Sequence, residues 1–597
     1  MNILTQITAF LVVVALSSSS VVQSPSAKGD NFELLILHNN DMHARFEQTS
    51  QLSGTCTAKD REAGKCYGGF PRVAYVVKQA REAAASGQGP PVLYLNAGDT
   101  YTGTAWFTIY KWKIAAEFIN ALQPDAVSLG NHEFDEEVEG LVPFIHNVTI
   151  PVLAANLILD KVPELEHEPN LHKSIILLVQ GVKIGVIGYL TPETKYLAPK
   201  NKVEYEEEII AIRREVEALK KQDVKIFIAL GHSGFIKDIE IAKNVEDIDL
   251  VIGGHSNTFL WNGFTNEKPE YPEGPYPTMV VQPSGRRVPV VQAYAYTKYM
   301  GRLHLVFDAD GEIVKYDGTP LLLSQDVPND EELSITIDRY RTEVGRINNE
   351  VIGSSLVGLD GICRIKECNM GNFITDAILN YTARYYPDYS DVKIAVVQGG
   401  RIRTSIDQAA KPMKILRGDL ITVIPFSDTL SIVTMNGTVL KQALEHSVST
   451  WRLIDSTGNF LQMSGIQVTY DLAEPAGSRI IDAKAACSQC GDPSISEVKD
   501  DYVYKVFMPS FLADGGDGYV MFENLTKEVI SFDELKCLFD YLGKYSPIKP
   551  EVSNRITLLN KDKLKSEPHR INNNTNRLLA VPSTILSIVL LCKVLYS

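Results

Sequence analysis

Six side chains in the first half of the chain have types and spacings that suit metal ligation. Asp41 and His43 stand two apart, so in an extended segment both point the same way and can face one ion. Asp99 follows Gly98, and Asn131 and His132 follow Gly130, so each sits behind a residue that permits a tight turn. His232 follows Gly231, and His255 follows Gly253 and Gly254. Carboxylate, amide and imidazole together suit zinc, manganese or a similar transition ion better than calcium or magnesium. A single catalytic zinc uses about three protein ligands. Asp41, His43, Asp99, Asn131, His232 and His255 make six, which points to two divalent ions, zinc foremost, with Asp99 bridging them. Two ions about 3.5–4 Å apart clamp the attacking and leaving oxygens of an in-line displacement, and lower the pKa of a bound water toward ~7. His132 and Asp135 are spaced for a different task. The carboxylate can orient the imidazole and support its cation, which would stabilise charge developing on a phosphoryl group. His38 also precedes a ligand loop and reads as structural.

The elements that must carry these residues are short apolar runs. Residues 32–37, 91–95, 126–129, 225–230 and 250–252 read as strands, each ending just before a candidate ligand. Helical stretches, such as 72–85 and 206–221, lie between them, which reads as α/β. Ligands bind outside the carboxyl ends of strands in open α/β sheets, so five strands deliver Asp, His and Asn to one rim. Residues 326–350 are polar with a helical pattern from 329 to 344 and read as a linker helix. Residues 351–560 form a second region with its own Gly-rich turns, notably Gln398-Gly-Gly-Arg-Ile-Arg403 and residues 511–519. No repeat of solenoid period is visible.

The chain has 597 residues, enough for two to four domains, with ordinary globular composition of 45% apolar and 22% charged residues. A formal net charge of −15 argues against a nucleic-acid partner. It would also repel an anionic substrate, so phosphate recognition needs a strong local source of positive charge, which bound ions supply.

At these residues the chain resembles the 5'-nucleotidase family of metallophosphoesterases, which includes animal ecto-5'-nucleotidase and salivary apyrases of blood-feeding arthropods. The matching segments are LHNNDMHARFEQ, NAGDTYTGTAWF, SLGNHEFD, ALGHSGF and IGGHSNTFL, then CRIKECNMGNFITDAI, VVQGGRIRTSID, VIPFSDTL, HSV and FLADGGDGY. They run from Asn31 to Leu559. The resemblance implies a four-layer α/β metallophosphoesterase domain over 30–325, the linker helix, and a C-terminal α/β nucleotide-binding domain over 351–560, with the active site between them. It implies that Asp41, His43 and Asp99 hold one ion, and that Asp99, Asn131, His232 and His255 hold the other. Asn257 falls where some relatives supply a further ligand. It makes His132 and Asp135 the transition-state-stabilising pair. Arg364 and Arg403 become phosphate-binding groups suited to fork-like recognition. Phe426 and Phe511 enclose the base, and Asp517 takes the ribose hydroxyls. The chain departs from the family at one turn. Where the family commonly has Asn and three Gly, this sequence has Gln398, Gly399, Gly400 and Arg401. Gln398 is a longer contact for the base. Arg401 either turns to solvent or enters the cleft, where with Arg364 and Arg403 it would form three cations suited to a di- or triphosphate. Thr375 occupies a position that carries a disulfide in vertebrate relatives.

The ends and the cysteines point outside the cell. Residues 7–16 are a short apolar run of signal-peptide length, within a leader at 1–24. The polar spacer and apolar terminal tail within 573–597 form the pattern of a removable GPI-anchor signal, which would place the protein on the outer membrane leaflet. The alternative is a secreted form. Eight Cys include three close pairs, Cys56 with Cys66, Cys363 with Cys368 and Cys487 with Cys490, as expected of disulfides in an oxidising compartment. Cys537 is left unpaired if the tail, with Cys592, is removed. Asn147, Asn380, Asn436, Asn524 and Asn573 begin glycosylation sequons. The first expectation is therefore an extracellular enzyme that releases phosphate from nucleoside 5'-monophosphates such as AMP. An apyrase acting on ATP and ADP is the second, and a catalytically silent nucleotide-binding protein the third. The resemblance adds a homodimer.

Overall fold

The computed structural model describes residues 31–263, 270–408, 410–426, 428–453, 456–487, 495–530 and 532–564. The leader at 1–24, the tail at 573–597, Cys490 and Asn573 lie outside the described residues.

The first half builds two sheets, not one. Strand Phe32–Asn39 pairs in parallel with Val92–Asn96 and antiparallel with Tyr299–Phe307. Ala126–Ser128 and Val152–Leu153 continue this eight-stranded sheet. The second sheet has six strands, with Val182–Leu190, Ile226–His232 and Leu250–Ile252 parallel at its centre. The five ligand-bearing strands read from the sequence are therefore divided, three in one sheet and two in the other.

Period-two alternation explains the division. Leu34, Ile36, Leu93 and Leu95 point into a core shared with Val186, Ile228, Leu230 and Val290 of the second sheet. Leu35, Leu37 and Tyr94 point the other way, onto helices Phe70–Ala85, Trp112–Leu122 and Glu137–Asn147. A strand buried on both faces reads as continuous apolar sequence, and that pattern cannot name the sheet on either side. Helices Glu208–Lys220 and Phe235–Asn244 cover the outside of the second sheet through residues such as Ile212, Val216 and Ile241. The result is four layers: helix, sheet, sheet, helix.

Helix Glu331–Asn348 joins the halves. Asp330 caps it by accepting the Leu333 N–H at 2.9 Å. Its apolar stripe, Leu333, Ile337 and Val344, packs on the first domain's helical core together with Ile421 of the second domain. The second domain centres on a five-stranded sheet ordered Leu461–Ser464, Ile394–Gln398, Val503–Pro509, Leu430–Asn436, Thr526–Ile530. Helices Asn369–Tyr385 and Glu534–Tyr545 cover one face, and Gly437–Ser447 the other.

Disulfides Cys56–Cys66 and Cys363–Cys368 close their short loops. Cys487 is disulfide-bonded, and Cys537 is a buried free thiol. Asn147, Asn436 and Asn524 are exposed, while Asn380 is half-buried. No helix among the described residues is long and apolar enough to cross a membrane.

The layer between the two sheets should carry much of the first domain's stability. Ile228 is fully buried there. Ile228→Ala should cost about 2–5 kcal/mol, the range for a large aliphatic truncated in a packed core. Urea unfolding checks it, and a loss below about 0.5 kcal/mol would mean the two sheets do not share a tight core.

Candidate active site

The candidate ligands meet where the two sheets present their strand ends together. Asp41 lies beyond Phe32–Asn39, Asp99 beyond Val92–Asn96, Asn131 and His132 beyond Ala126–Ser128. His232 ends its strand, and His255 follows Leu250–Ile252. His43, Asp99 and His132 offer atoms within 4.8 Å of one another, as do Asp99, His232 and His255, so Asp99 is common to both groups. Asp41 stands between them: its Oδ1 is 3.8 Å from His43 Nε2 and 3.7 Å from His232 Nε2.

The loops are strained into place. Asp41, His43, Asp99, His255 and Asn257 all have positive φ, between 47° and 79°. A non-glycine residue in that region costs on the order of 1–3 kcal/mol and persists only when its surroundings fix it. Here the surroundings are backbone bonds between loops: Asp41 N–H to Gly98 O at 2.9 Å, His43 N–H to Asp99 O at 2.9 Å. The loops approach closely because Gly130 has no Cβ; one there would fall 2.2 Å from Asp99 Oδ1. Glu133, which the sequence reading left without a role, completes the frame. Its carboxylate accepts N–H groups of Gly130 (2.6 Å), Asp99 (3.0 Å), Thr100 (2.6 Å) and Tyr101 (3.3 Å). Asn40 was missed likewise. It donates to Asp41 Oδ2 at 2.8 Å and to Tyr294 O at 2.6 Å, fixing the carboxylate's plane. Adjacency to a ligand was the only sequence signal for either.

The imidazoles are oriented from behind. His232 Nδ1 faces Ala97 O at 2.6 Å and His43 Nδ1 faces Thr102 O at 3.0 Å. A proton carried at Nδ1 alone would direct each Nε2 lone pair into the site, the arrangement of a ligating histidine. His255 Nδ1 lies 2.9 Å from Asn131 Oδ1. Asp41 Oδ1 and Asn257 Oδ1 are buried and have no hydrogen-bond partner among the described residues, and His232 Nε2 lies 2.9 Å from Asp99 Oδ2. Buried polar atoms without partners are rare and costly. Oxygen and nitrogen atoms converging in this way fit divalent cations.

The electrostatics call for positive charge. Burial pushes Asp41 up to about 6. Burial would also raise Asp99, but His232 and His132 outweigh it and hold Asp99 well below the usual carboxylate range. Burial would lower His232, yet Asp99 and Asp41 raise it to about 10. His255 is pushed down to about 3 by burial and then by His232. His132 is raised because Asp135, 2.9 Å from its Nδ1, and Asp99 overcome the effect of burial. His38 stands apart from the cluster, its Nε2 2.7 Å from the Tyr276 hydroxyl, as a structural residue.

The second domain closes the site. One cavity of about 1130 Å³ is lined by Asp99, Asn131, His132, Asp135 and His255 from the first domain. Arg364, Gln398, Arg403, Phe426, Phe511 and Asp517 line it from the second. Arg403 Nη2 donates to His43 Nε2 at 2.8 Å across the domain boundary. Arg364 is held at about 10 by burial and by the adjacent Arg403 charge, so the two guanidiniums repel and favour an anion between them. The Phe426 ring centroid lies 5.7 Å from that of His132. Arg401 also lines the cavity, but its guanidinium is neither solvated nor free. It is 3% exposed, and its Nη2 donates to Glu534 Oε2 at 3.1 Å. The carboxylate of Glu534, itself 1% exposed, holds the guanidinium inside the wall.

If the Glu133 carboxylate frames the ligand loops, Glu133→Gln should weaken divalent-ion binding about 10- to 100-fold, the usual loss when a partner of a ligand is removed. Calorimetric titration with zinc or manganese reads this directly. Unchanged affinity would mean the loops hold their shape without it.

Residues 34–259 match the calcineurin-like phosphoesterase family, and residues 343–524 match the 5'-nucleotidase C-terminal domain. The chain is 43% identical to the protein named 5NUC of Lutzomyia longipalpis, over 92% of this chain and 97% of that protein. It is 41% identical to the 5'-nucleotidase of Homo sapiens, over 88% of this chain and 91% of that one. Among solved structures, the 5'-nucleotidase precursor of Thermus thermophilus superimposes with a TM-score of 0.79 at 30% identity. It covers 89% of this chain and all of its own. Two domain matches on either side of one shared cleft, with similarity over nearly the whole length of the relatives, leave one assignment. The chain belongs to the 5'-nucleotidase family of metallophosphoesterases, metal-dependent hydrolases of phosphoric esters.

Proposed function

We propose that this chain hydrolyses nucleoside 5'-monophosphates such as AMP to nucleoside and phosphate outside the cell, with two zinc ions at the Asp99-centred cluster. The observation that carries the reading is the single cavity in which that cluster, two arginines and two phenylalanines face one another. A nucleotide has the matching parts: a phosphate, a ribose and a flat base.

Asp41, His43 and Asp99 would hold one ion, and Asp99, Asn131, His232 and His255 the other. When bound, such ions polarise the phosphoryl group and supply a nucleophile at neutral pH. The chain's own groups do the rest. Arg364 and Arg403 grip the phosphate oxygens in bidentate fashion and fix its orientation. His132, its protonated form favoured by Asp135 2.9 Å from Nδ1, would place a cation beside the phosphoryl group as charge builds on it. Phe426 and Phe511 take the base between apolar faces, and Asp517 accepts the ribose hydroxyls. Burial, opposed by Arg364, raises the Asp517 carboxyl to about 6. Gln398 Oε1 is buried without a partner among the described residues, which suits a contact to substrate.

The apyrase alternative loses its main support. Arg401 is engaged by Glu534, so it does not act as a third phosphate cation beside Arg364 and Arg403. The ligand set is complete, which removes the motive for a silent binding protein.

Chelation should abolish phosphate release from AMP, and added zinc should restore it. Asp99→Asn should lower kcat/KM by on the order of 100-fold or more, since the one carboxylate common to both candidate ligand groups would lose its charge. AMP should be turned over faster than ADP or ATP in the same phosphate assay. Full activity in excess chelator, or equal turnover of the three nucleotides, would defeat this reading.

The surface assignment rests on the sequence of the two ends and on the resemblance. Expressed in animal cells, the protein should be glycosylated and released from the outer leaflet by a phosphatidylinositol-specific phospholipase. Light scattering of the released form should read the mass of two chains. Retention on the membrane after the phospholipase would exclude the GPI anchor, and a single-chain mass would exclude the dimer.

A further inference from the structure

A charged side chain at a family glycine position, buried in the wall of the cleft, needs an account. Arg401 lies in the turn Gly399–Arg401 that ends strand Ile394–Gln398. Its guanidinium carbon sits 5.4 Å from the centroid of the Phe426 ring, within cation–π range. Two carboxylates hold it from the other side. Glu534 accepts from Nη2 at 3.1 Å, and Asp428 Oδ2 lies 3.6 Å from Nη1. Both acids have further attachments. Glu534 is the first residue of helix Glu534–Tyr545, which packs across helix Asn369–Tyr385 in the domain core. A carboxylate there is also favoured by the helix N-terminus. Asp428 Oδ2 accepts the backbone N–H of Phe511 at 2.8 Å. The Phe511 ring is in turn seated against Gly516, where a Cβ would fall 2.3 Å from the ring.

These contacts form one chain from the helical core, through Glu534 and Arg401, to both aromatic walls. We propose that Arg401 is a positioning residue for the nucleobase: braced by Glu534 and Asp428, its guanidinium supports the buried side of Phe426 and couples that wall to Phe511. The proposal rests on the nucleotide reading of the cleft. It separates base recognition from phosphate recognition, because the Arg401 guanidinium is engaged by Glu534 and Asp428 and lies by the Phe426 ring. A wall fixed in this way lowers the ordering cost of gripping a flat ring.

The substrate pair that tests it is AMP and ribose 5-phosphate, which share the sugar phosphate and differ only in the base. Arg401→Met alone would leave Glu534 as an uncompensated buried charge. The informative variant is therefore the double change Arg401→Met with Glu534→Leu, compared with Arg401→Lys, which keeps the cation. In the double variant, KM for AMP should rise about 5-fold, the scale of a lost cation–π support. The kcat on AMP and kcat/KM for ribose 5-phosphate should stay within about twofold. Arg401→Lys should keep KM for AMP near that of the unaltered chain. Turnover of ribose 5-phosphate also reports that each variant is folded. Parallel losses on both substrates, an unchanged KM for AMP, or a defect in Arg401→Lys as large as in the double variant would each overturn the brace. If the unaltered chain shows no preference for AMP over ribose 5-phosphate, the nucleotide reading falls and this proposal with it. If that preference is present and survives in the variants, only the proposal falls.

Discussion

Two carboxylates, Asp41 and Asp99, are buried to 1% and 2% exposure within the same small volume. Ionised groups cannot remain in such a place without opposite charge and hydrogen bonds, because the loss of hydration costs several kcal/mol for each. Much of the first domain is arranged around that constraint. Imidazoles of His43 and His232 face the carboxylates, and backbone N–H groups of His132 and His255 donate to them. The residues that carry these groups adopt strained backbone angles, fixed in turn by Glu133 and Asn40. Binding of divalent cations would answer the same constraint, which is why the site's charge, its orphaned atoms and its strain all belong to one account.

The two domains divide the work by chemistry. The first supplies acids and imidazoles, and the second supplies arginines and aromatic rings. Their contact is direct where it matters: Arg403 reaches His43, and Thr404 Oγ1 donates to Leu52 O at 2.6 Å. Helix Glu331–Asn348, docked on the first domain's core, sets where the second begins. A cleft built this way also answers the problem posed by a strongly acidic chain. Attraction for an anion is concentrated at Arg364, Arg403 and the cluster beside them, and not spread over the surface.

Arg401 shows how one charge can be absorbed into the wall of a cleft by a buried acid. A guanidinium in that wall needs a buried acid, and Glu534 at a helix start is already in a favourable place for one. The pairing neutralises the charge within the wall and leaves it 5.4 Å from the centroid of the Phe426 ring.

By itself the sequence determined which residues are candidate ligands. Asp, His and Asn behind glycine at the ends of apolar runs are legible, because strand ends and tight turns leave local signals. The four-layer expectation came from the resemblance, and local pattern alone placed five strand ends on one rim without assigning them to sheets. Strand Phe32–Asn39 is apolar on both sides, so nothing in it says that Leu34 and Leu35 face different cores. Tertiary structure alone decided that, and it also decided the roles of Glu133 and Arg401. Glu133 bonds to backbone about thirty residues away, and Arg401 pairs with an acid far along the chain. A side chain's partner across such separations depends on how the layers stack, and no spacing in the sequence records it. The candidate ligands stand in short motifs, while the Glu133 frame around them and the Glu534–Arg401 pair are set only by the packing.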